Sequence, residues 1–190
     1  MVLGPEGVGQ RLGVRSQGMK YRLATHDDAD AIRTIYNREV LGSTVTFDLV
    51  PRTLEDQLSW IDEHSGAHPA IVAVDDHDRV RGFGSLSPYR PRPAYRTTVE
   101  NSVYVASDVQ GQGVGKGLLV ELLRLAAAHG FHAVIARIVG GHQVSIALHR
   151  SCGFELVGVE REVGRKFGRW LDVVLMQKLI DPGAPEPPSA

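Results

Sequence analysis

Four glycines alternate with other residues directly after a stretch that has the alternating pattern of a β-strand. They lie at positions 111, 113, 115 and 117, with Gln112, Val114 and Lys116 between them, and an apolar helical pattern follows. Glycine lets backbone amides turn inward, and the positive end of a following helix attracts anions. The run therefore predicts either an anion site, to which Lys116 adds a charge, or a flexible connection between strand and helix.

Two common phosphate-binding motifs do not fit this run. The dinucleotide motif G-x-G-x-x-G fails because, counted from either of the first two glycines, its sixth position is Lys116 or Leu118. The Walker motif G-x-x-x-x-G-K-[ST] fails because Gln110 stands at its first glycine and Gly117 follows Lys116. Anion binding by a less specific glycine loop is the chemical interpretation that is left.

A single carboxylate lies inside the strand pattern that precedes the glycines. Residues 97–105 alternate so that Glu100 shares a face with Thr98 and Ser102, while the valines share the opposite face with Asn101. A carboxylate within a strand is uncommon, and the pattern alone favours an exposed or ion-paired glutamate. A partly buried carboxylate with a raised pKa can instead serve as a general base at neutral pH.

The residues from Gln110 to Gly115, QGQGVG, match the Q/R-x-x-G-x-G/A motif of the GNAT acetyltransferases. Three further segments, TVENSVYV, SIALHRSCGF and VGRKFGRWLDVVLMQ, resemble the phosphinothricin and methionine sulfoximine N-acetyltransferase branch, and the likeness covers roughly residues 20–180. The resemblance implies that the loop binds the pyrophosphate of acetyl-CoA and that the preceding strand pairs with its pantetheine arm. The implied coenzyme-binding residues are Val103, Tyr104, Val105, Gly111, Gln112, Gly113, Val114, Gly115, Lys116, His142 and Ser145.

The resemblance also assigns two catalytic residues. Glu100 is implied to take the proton of the attacking amine, directly or through water, because an ammonium cannot attack a thioester. His149 is the candidate general acid for the leaving thiolate, with a packing or capping role as the alternative. His142 departs from the branch, which has an asparagine there that hydrogen-bonds the coenzyme or a bound water. Ser145 is predicted to be the N-cap of a short helix.

The segment YRPRPAYR at residues 89–96 supplies candidate acceptor-binding residues just before the Glu100 strand. Guanidinium groups suit a carboxylate, sulfoximine or phosphinate on a small amino-acid-like acceptor, whose amine would then approach Glu100. Phe47 is a candidate pocket wall, with core packing as the alternative. The resemblance aligns Lys166, Phe167, Arg169 and Trp170 with a segment that lines a pocket at a dimer interface, so a homodimer is expected. The acceptor-side candidates are Phe47, Arg90, Arg92, Pro93, Ala94, Tyr95 and Glu100.

The leading functional hypothesis is an acetyl-CoA-dependent N-acetyltransferase for the α-amine of a small amino-acid-like substrate. One alternative keeps the chemistry and changes the acceptor to a protein N-terminus, a polyamine or an aminoglycoside, of which the arginine-rich loop disfavours the cationic ones. The other alternative is a module that binds acyl-CoA without turnover, for which His142 is the only hint, whereas Glu100 favours catalysis.

The composition limits the classes of partner. Lysine and arginine number 21 and aspartate and glutamate 22, so the net charge of −1 gives no reason to expect nucleic-acid or membrane binding. The single cysteine, Cys152, excludes an intramolecular disulfide and a cysteine-based zinc site. We therefore expect a small-molecule substrate, no metal, and a cytoplasmic location.

Length and pattern predict one domain. Residues 1–18 lack the apolar run of a signal peptide and are predicted to be a disordered extension, residues 19–180 form the domain, and residues 181–190 form a flexible tail. The order of elements is β-α-α-β-β-β-α-β-α-β-β, with the long helix beginning at Gly117. This order predicts an α+β (mixed α/β) protein, and the resemblance implies the GNAT fold, a mostly antiparallel twisted sheet flanked by helices.

Overall fold

The computed structural model describes residues 18–180 of the chain. The predicted disordered extension, apart from Gly18, and the predicted tail at 181–190 lie outside the described residues.

The described part of the chain contains seven strands and four α-helices in the predicted order. Two of the helices end just before a glycine in the left-handed region, which favours glycine: α3 before Gly130 at φ +75° and α4 before Gly153 at φ +84°. The strands are β1 (Lys20–Leu23), β2 (Ala70–Val74), β3 (Val80–Pro88), β4 (Thr98–Val105), β5 (Ala133–Val139), β6 (Glu155–Lys166) and β7 (Arg169–Leu179), and the helices are α1 (Ala29–Gly42), α2 (Leu54–Glu63), α3 (Val114–Ala128) and α4 (Gln143–Ser151).

The strands form one sheet in the order β1-β2-β3-β4-β5-β7-β6. Every neighbouring pair is antiparallel except β4 and β5, which run parallel, so the predicted mixed and mostly antiparallel sheet is confirmed. The parallel pairing covers only Thr98–Glu100 against Ala133–Ile135. Beyond Glu100 the two central strands separate, which leaves one edge of β4 without a partner strand.

Each face of the sheet has its own hydrophobic core. Helix α3 packs Leu118, Leu119 and Leu122, all fully buried, against the face that carries Val99 and Val134. The opposite face packs against α1 and α2 through a cluster centred on Ile32, Tyr36 and Phe83. Because side chains alternate along a strand, β4 contributes to both cores and its polar residues are divided between the two faces.

Two helix starts differ from the sequence prediction. Helix α3 begins at Val114, three residues before the predicted start, so part of the glycine run forms its first turn. Helix α4 begins at Gln143, and its N-cap is His142 and not Ser145: the Nδ1 atom of His142 accepts from the backbone N–H of Ser145 at 3.3 Å. The prediction for Ser145 was wrong because an imidazole nitrogen can accept from a first-turn amide, although histidine is not among the preferred capping residues.

Candidate active site

A cavity of 360 Å³ opens where β4 and β5 separate. Residues from both faces of the sheet line it, because a gap between two strands exposes side chains that point to either side. The wall toward α4 contains Asn101, Leu148 and His149, and the wall toward α1 contains Ser102, Tyr104 and Arg137, with Glu39 and Val45. The cavity thus joins the two sides of the sheet beside the end of the paired segment.

The glycine loop forms one mouth of this cavity. Gly111 at φ +76° and Gly113 at φ +84° adopt the left-handed backbone region that glycine tolerates best, and Gly113 is the N-cap of α3. The first helical hydrogen bond runs from the N–H of Gly117 to the oxygen of Gly113, so the amides of residues 114–116 have no acceptor within the helix. Such amides at the positive end of a helix suit a phosphate group.

Most of the predicted coenzyme-binding residues meet at the cavity. Gln112 does not line it, and Val114, the first residue of α3, is buried in the core. Gln110, from the same motif, also lines it and holds the loop to β4 through a hydrogen bond from its Nε2 to the oxygen of Val105 at 3.4 Å. The predicted residues that do line the cavity are Val103, Tyr104, Val105, Gly111, Gly113, Gly115, Lys116, His142 and Ser145.

Glu100 is the last residue of β4 that pairs with β5, where it lies opposite Ile135, and its side chain is partly buried. It does not itself line the cavity, but Ser102, the next residue on the same face, does. Burial raises the pKa of the Glu100 carboxyl above its ordinary value; the Arg137 guanidinium opposes this rise and the Glu160 carboxylate adds to it. A raised pKa improves the match between a carboxylate base and neutral pH.

His149 forms part of the buried wall of the cavity and is only 4% exposed. Its Nδ1 lies 2.8 Å from the oxygen of Ser145, which can only accept, so Nδ1 carries a hydrogen. Its Nε2 lies 3.0 Å from the Nδ2 amide of Asn101 and accepts from it. Burial lowers the pKa of the imidazole, which favours this neutral form. In this arrangement Nε2 has no proton to donate, so the geometry favours a structural role for His149.

Asn101 is a cavity residue that the sequence analysis did not select. Its side chain is 6% exposed, and its Oδ1 has no hydrogen-bond partner although its Nδ2 binds His149. A buried amide oxygen without a partner is costly, and it offers an acceptor to a ligand N–H in the cavity. The pantetheine arm of a coenzyme A thioester carries amide N–H groups, so this unpaired oxygen fits the expected ligand.

The loop between α1 and α2 borders the cavity on the side of α1. Tyr36 donates from its hydroxyl to Asp48 at 2.6 Å and lies 2.9 Å from the hydroxyl of Thr46. Lys166, which is 3% exposed, donates to the oxygen of Thr46 at 2.9 Å. These bonds hold Val45 of the same loop at the cavity. Phe47 does not line the cavity: its ring covers Gly164 of β6 and leaves no room for a Cβ there.

The arginine-rich loop lies outside the cavity of the single chain. Residues 90–94 are exposed, and Pro93–Tyr95 form a short 3₁₀ turn. The guanidinium of Arg90 stacks over the ring of Tyr89 at 4.9 Å and near that of Tyr95 at 5.6 Å. The structure therefore does not bring Arg90, Arg92, Pro93, Ala94 or Tyr95 to the cavity in one chain.

Sequence reasoning also missed two charged residues of the cavity, Glu39 and Arg137. Glu39 belongs to α1, and the helical pattern gave no sign that it would line the cavity. Arg137 had a visible signal, because it is the only charged residue in the apolar strand AVIARIV. Asn101 had a similar one, since it shares a strand face with Val99, Val103 and Val105.

Two kinds of feature are absent from residues 18–180. No group of three or more histidine, cysteine, aspartate or glutamate side chains there is arranged to hold a metal ion. No helix in the same range is both long and apolar enough to cross a membrane.

Comparisons with known proteins agree on one family. The family profile described as acetyltransferase (GNAT) domain matches residues 21–175. The L-methionine sulfoximine/L-methionine sulfone acetyltransferase of Pseudomonas paraeruginosa is 41% identical over 156 residues, which cover 82% of this chain and 91% of the relative.

Two solved structures share the fold. A GNAT superfamily phosphinothricin acetyltransferase from Sinorhizobium meliloti, in complex with AcCoA, aligns with a TM-score of 0.83 and 38% identity over 90% of this chain and 94% of that one. A ribosomal-protein-alanine N-acetyltransferase from Brucella melitensis aligns with a TM-score of 0.82 and 40% identity over 84% and 99%.

Proposed function

The chain belongs to the GNAT acetyltransferase family, and we propose that it transfers the acetyl group of acetyl-CoA to the α-amine of a small amino-acid-like acceptor. The expected acceptors are of the phosphinothricin, methionine sulfoximine or methionine sulfone type. The Pseudomonas relative is named for two of these compounds, and the Sinorhizobium neighbour for the third. That neighbour also contains AcCoA, which supports the choice of acyl donor.

The observation that carries this proposal is the cavity that joins the unpaired edge of β4 to the glycine loop. Free N–H and C=O groups on a strand edge can pair with an extended amide-containing ligand, as a further strand would. The amides of residues 114–116 can take a pyrophosphate at the end of the same groove. Lys116 adds a positive charge there, and Asn101 adds a buried acceptor.

Glu100 is proposed as the general base. Acetyl-CoA supplies an acetyl thioester, which an amine attacks only after it has lost its extra proton. Glu100 lies beside the cavity with its pKa raised by burial, which supports proton transfer to this carboxylate directly or through water. No covalent bond to the enzyme is required. His149 can act as an acid only if its imidazole gains a second proton, and the Asn101 amide must then turn so that Oδ1 faces Nε2.

A protein N-terminus is the second candidate acceptor. The Brucella neighbour, which is 40% identical, is named for acetylating an alanine of a ribosomal protein. The cavity favours the smaller acceptor, because Tyr36 and Lys166 hold the loop at residues 43–53 against its side. A peptide would have to enter past this loop.

A homodimer is proposed as the working assembly. Strand β6 is an edge strand that exposes apolar side chains, and the exposed Phe167 and Trp170 lie at the tip of the β6–β7 hairpin. Apolar side chains on an exposed edge favour association. Lys166 donates a hydrogen bond to the oxygen of Thr46 within its own chain, so its side chain is not part of this exposed surface. The exposed apolar residues of β6 are Leu156, Val157, Val159 and Val163.

Sedimentation velocity of the wild type and of Val159→Asp tests the proposed homodimer. A monomeric wild type would contradict the proposal.

Thiol release from acetyl-CoA with a panel of acceptors tests the function. The panel contains phosphinothricin, methionine sulfoximine, methionine sulfone, a polyamine and a peptide that begins with alanine. We expect fast release with the amino-acid analogues and slow release with the others. Release with the peptide alone would favour the second candidate, and coenzyme binding without release from any acceptor would indicate a binding module.

A further inference from the structure

Arg137 is the only arginine among the described residues that line the cavity. The other cation of the lining, apart from the two histidines, is Lys116, which belongs to the glycine loop at the opposite end. The arginines that the sequence suggested for the acceptor, Arg90 and Arg92, lie on an exposed loop outside the cavity. An anionic acceptor that enters the cavity of one chain therefore meets the guanidinium of Arg137.

The position of Arg137 relative to Glu100 is fixed by the sheet. Glu100 of β4 pairs with Ile135 of β5, and Arg137 lies two residues further along β5 on the same face. The side chains of Glu100 and Arg137 are therefore diagonal neighbours on adjacent strands, at the point where β4 and β5 begin to separate. The guanidinium lies close enough to lower the pKa of the Glu100 carboxyl.

The guanidinium of Arg137 has one ion-pair partner within the described part of the chain, Glu160. Its Nη2 lies 2.8 Å from an Oε2 of Glu160, yet that oxygen accepts no aligned hydrogen bond, so charge alone holds the pair. Within residues 18–180 no hydrogen bond occupies the remaining N–H groups of Arg137. The side chain is 33% exposed, which leaves these N–H groups reachable from the cavity. A guanidinium with free donors matches the geometry of a carboxylate.

The structure assigns to Arg137 the α-carboxylate of the acceptor, an inference that rests on the proposed function. In an α-amino acid the amine nitrogen and the carboxylate carbon are bonded to the same carbon and lie about 2.5 Å apart. A group that binds the carboxylate must therefore lie next to the group that deprotonates the amine. Arg137 beside Glu100 meets this requirement, and the Glu160 carboxylate lies 2.8 Å from the same guanidinium. The role of Arg137 is to determine specificity for acceptors with a free α-carboxylate.

The test compares methionine sulfone with its α-carboxamide as acceptors. Arg137→Met keeps much of the apolar stem and removes the charge, whereas Arg137→Lys keeps the charge but lacks the paired N–H donors of a guanidinium. Arg161→Met, which removes an exposed arginine next to Glu160, is the control. We expect Arg137→Met to lower kcat/KM for methionine sulfone by about 10- to 100-fold, as for the loss of a charge-assisted hydrogen bond. At a pH where Glu100 is ionised in every variant, the carboxamide should change little, Arg137→Lys should recover part of the loss, and Arg161→Met should resemble the wild type.

A binding measurement separates recognition from chemistry. Calorimetry of methionine sulfone in the presence of free coenzyme A should show weaker binding to Arg137→Met, while the Kd of acetyl-CoA stays unchanged. If the wild type is active and Arg137→Met loses kcat/KM equally for methionine sulfone and its carboxamide, or for neither, the assignment of Arg137 is overturned. A wild type that acetylates neither acceptor would overturn the proposed function itself.

Discussion

The Nε2 atom of His149 lies 3.0 Å from the side-chain amide nitrogen of Asn101 in the buried wall of the cavity. The other ring nitrogen donates to the oxygen of Ser145, so the imidazole is held neutral with its hydrogen on Nδ1. This pair connects α4 to β4 across the gap between the central strands. The amide nitrogen of Asn101 is used in this contact, while its amide oxygen has no hydrogen-bond partner.

The protonation state of His149 should respond to Asn101. Burial lowers the pKa of His149, so nitrogen-15 NMR at neutral pH should show the neutral Nδ1–H tautomer. Asn101→Asp replaces a donor by a carboxylate, which favours the charged imidazole and should raise that pKa. An unchanged pKa in Asn101→Asp, or an imidazolium in the wild type at neutral pH, would contradict the described contact.

The pH dependence of kcat/KM should shift in opposite directions in two variants. Glu100 must be ionised to act as a base, so activity should rise with pH through a pKa above the ordinary value for glutamate of ~4.3. Glu160→Gln removes a neighbouring negative charge and should move this rise to lower pH, whereas Arg137→Met removes a positive charge and should move it to higher pH. All profiles are measured with the same acceptor, so the ionisation of its amine affects every variant equally. Shifts of the activity profile in the same direction in both variants would contradict the arrangement of Glu100, Arg137 and Glu160.

Lys166→Met should loosen the loop at residues 43–53. The substitution leaves the oxygen of Thr46 without its buried donor, which should cost about 1–3 kcal/mol in the free energy of unfolding. Denaturant unfolding measures this loss, and Lys20→Met, at an exposed lysine on edge strand β1, is the matched control. We also expect a higher KM for the acceptor with an unchanged Kd for acetyl-CoA. A variant as stable as the control would refute the anchoring role.

Gly113→Ala should weaken coenzyme binding through the backbone. An alanine at φ +84° is strained by about 1–2 kcal/mol, and the strain falls on the cap that directs the first amides of α3. Gly130→Ala, at φ +75° beyond the other end of the same helix, carries a similar strain away from the cavity. Calorimetry should show a weaker Kd for acetyl-CoA in the first variant only. Equal affinities in the two variants would mean that the loop does not bind the coenzyme.

The fold was predictable because its signals are local. The alternation of β2 to β4, the apolar stripe of α3 and the motif at Gln110–Gly115 each specify their own element, and the family likeness implied a mostly antiparallel sheet. The order of the strands in that sheet was not predicted. The contacts that shape the site were not predictable in the same way. The pairing of Arg137 with Glu160 joins β5 to β6, and that of Asn101 with His149 joins β4 to α4. Such pairs depend on where the strands separate, and no local pattern encodes that point.

The capping of α4 shows a second limit. Ser145 has the stronger preference for an N-cap, and a statistical preference selects it over His142. The tight turn at Gly141, with φ +84°, instead brings the imidazole to the first-turn amide. Backbone geometry outside the helix therefore decided where the helix begins.

The turnover of Glu100→Gln tests the central claim most directly. The assay measures thiol release at neutral pH with methionine sulfone, and calorimetry measures the Kd of acetyl-CoA for the same preparation. With Glu100 as the base, the variant should lose about 10²- to 10⁴-fold in kcat while it binds acetyl-CoA as tightly as the wild type. Wild-type turnover by this variant at neutral pH would contradict the account.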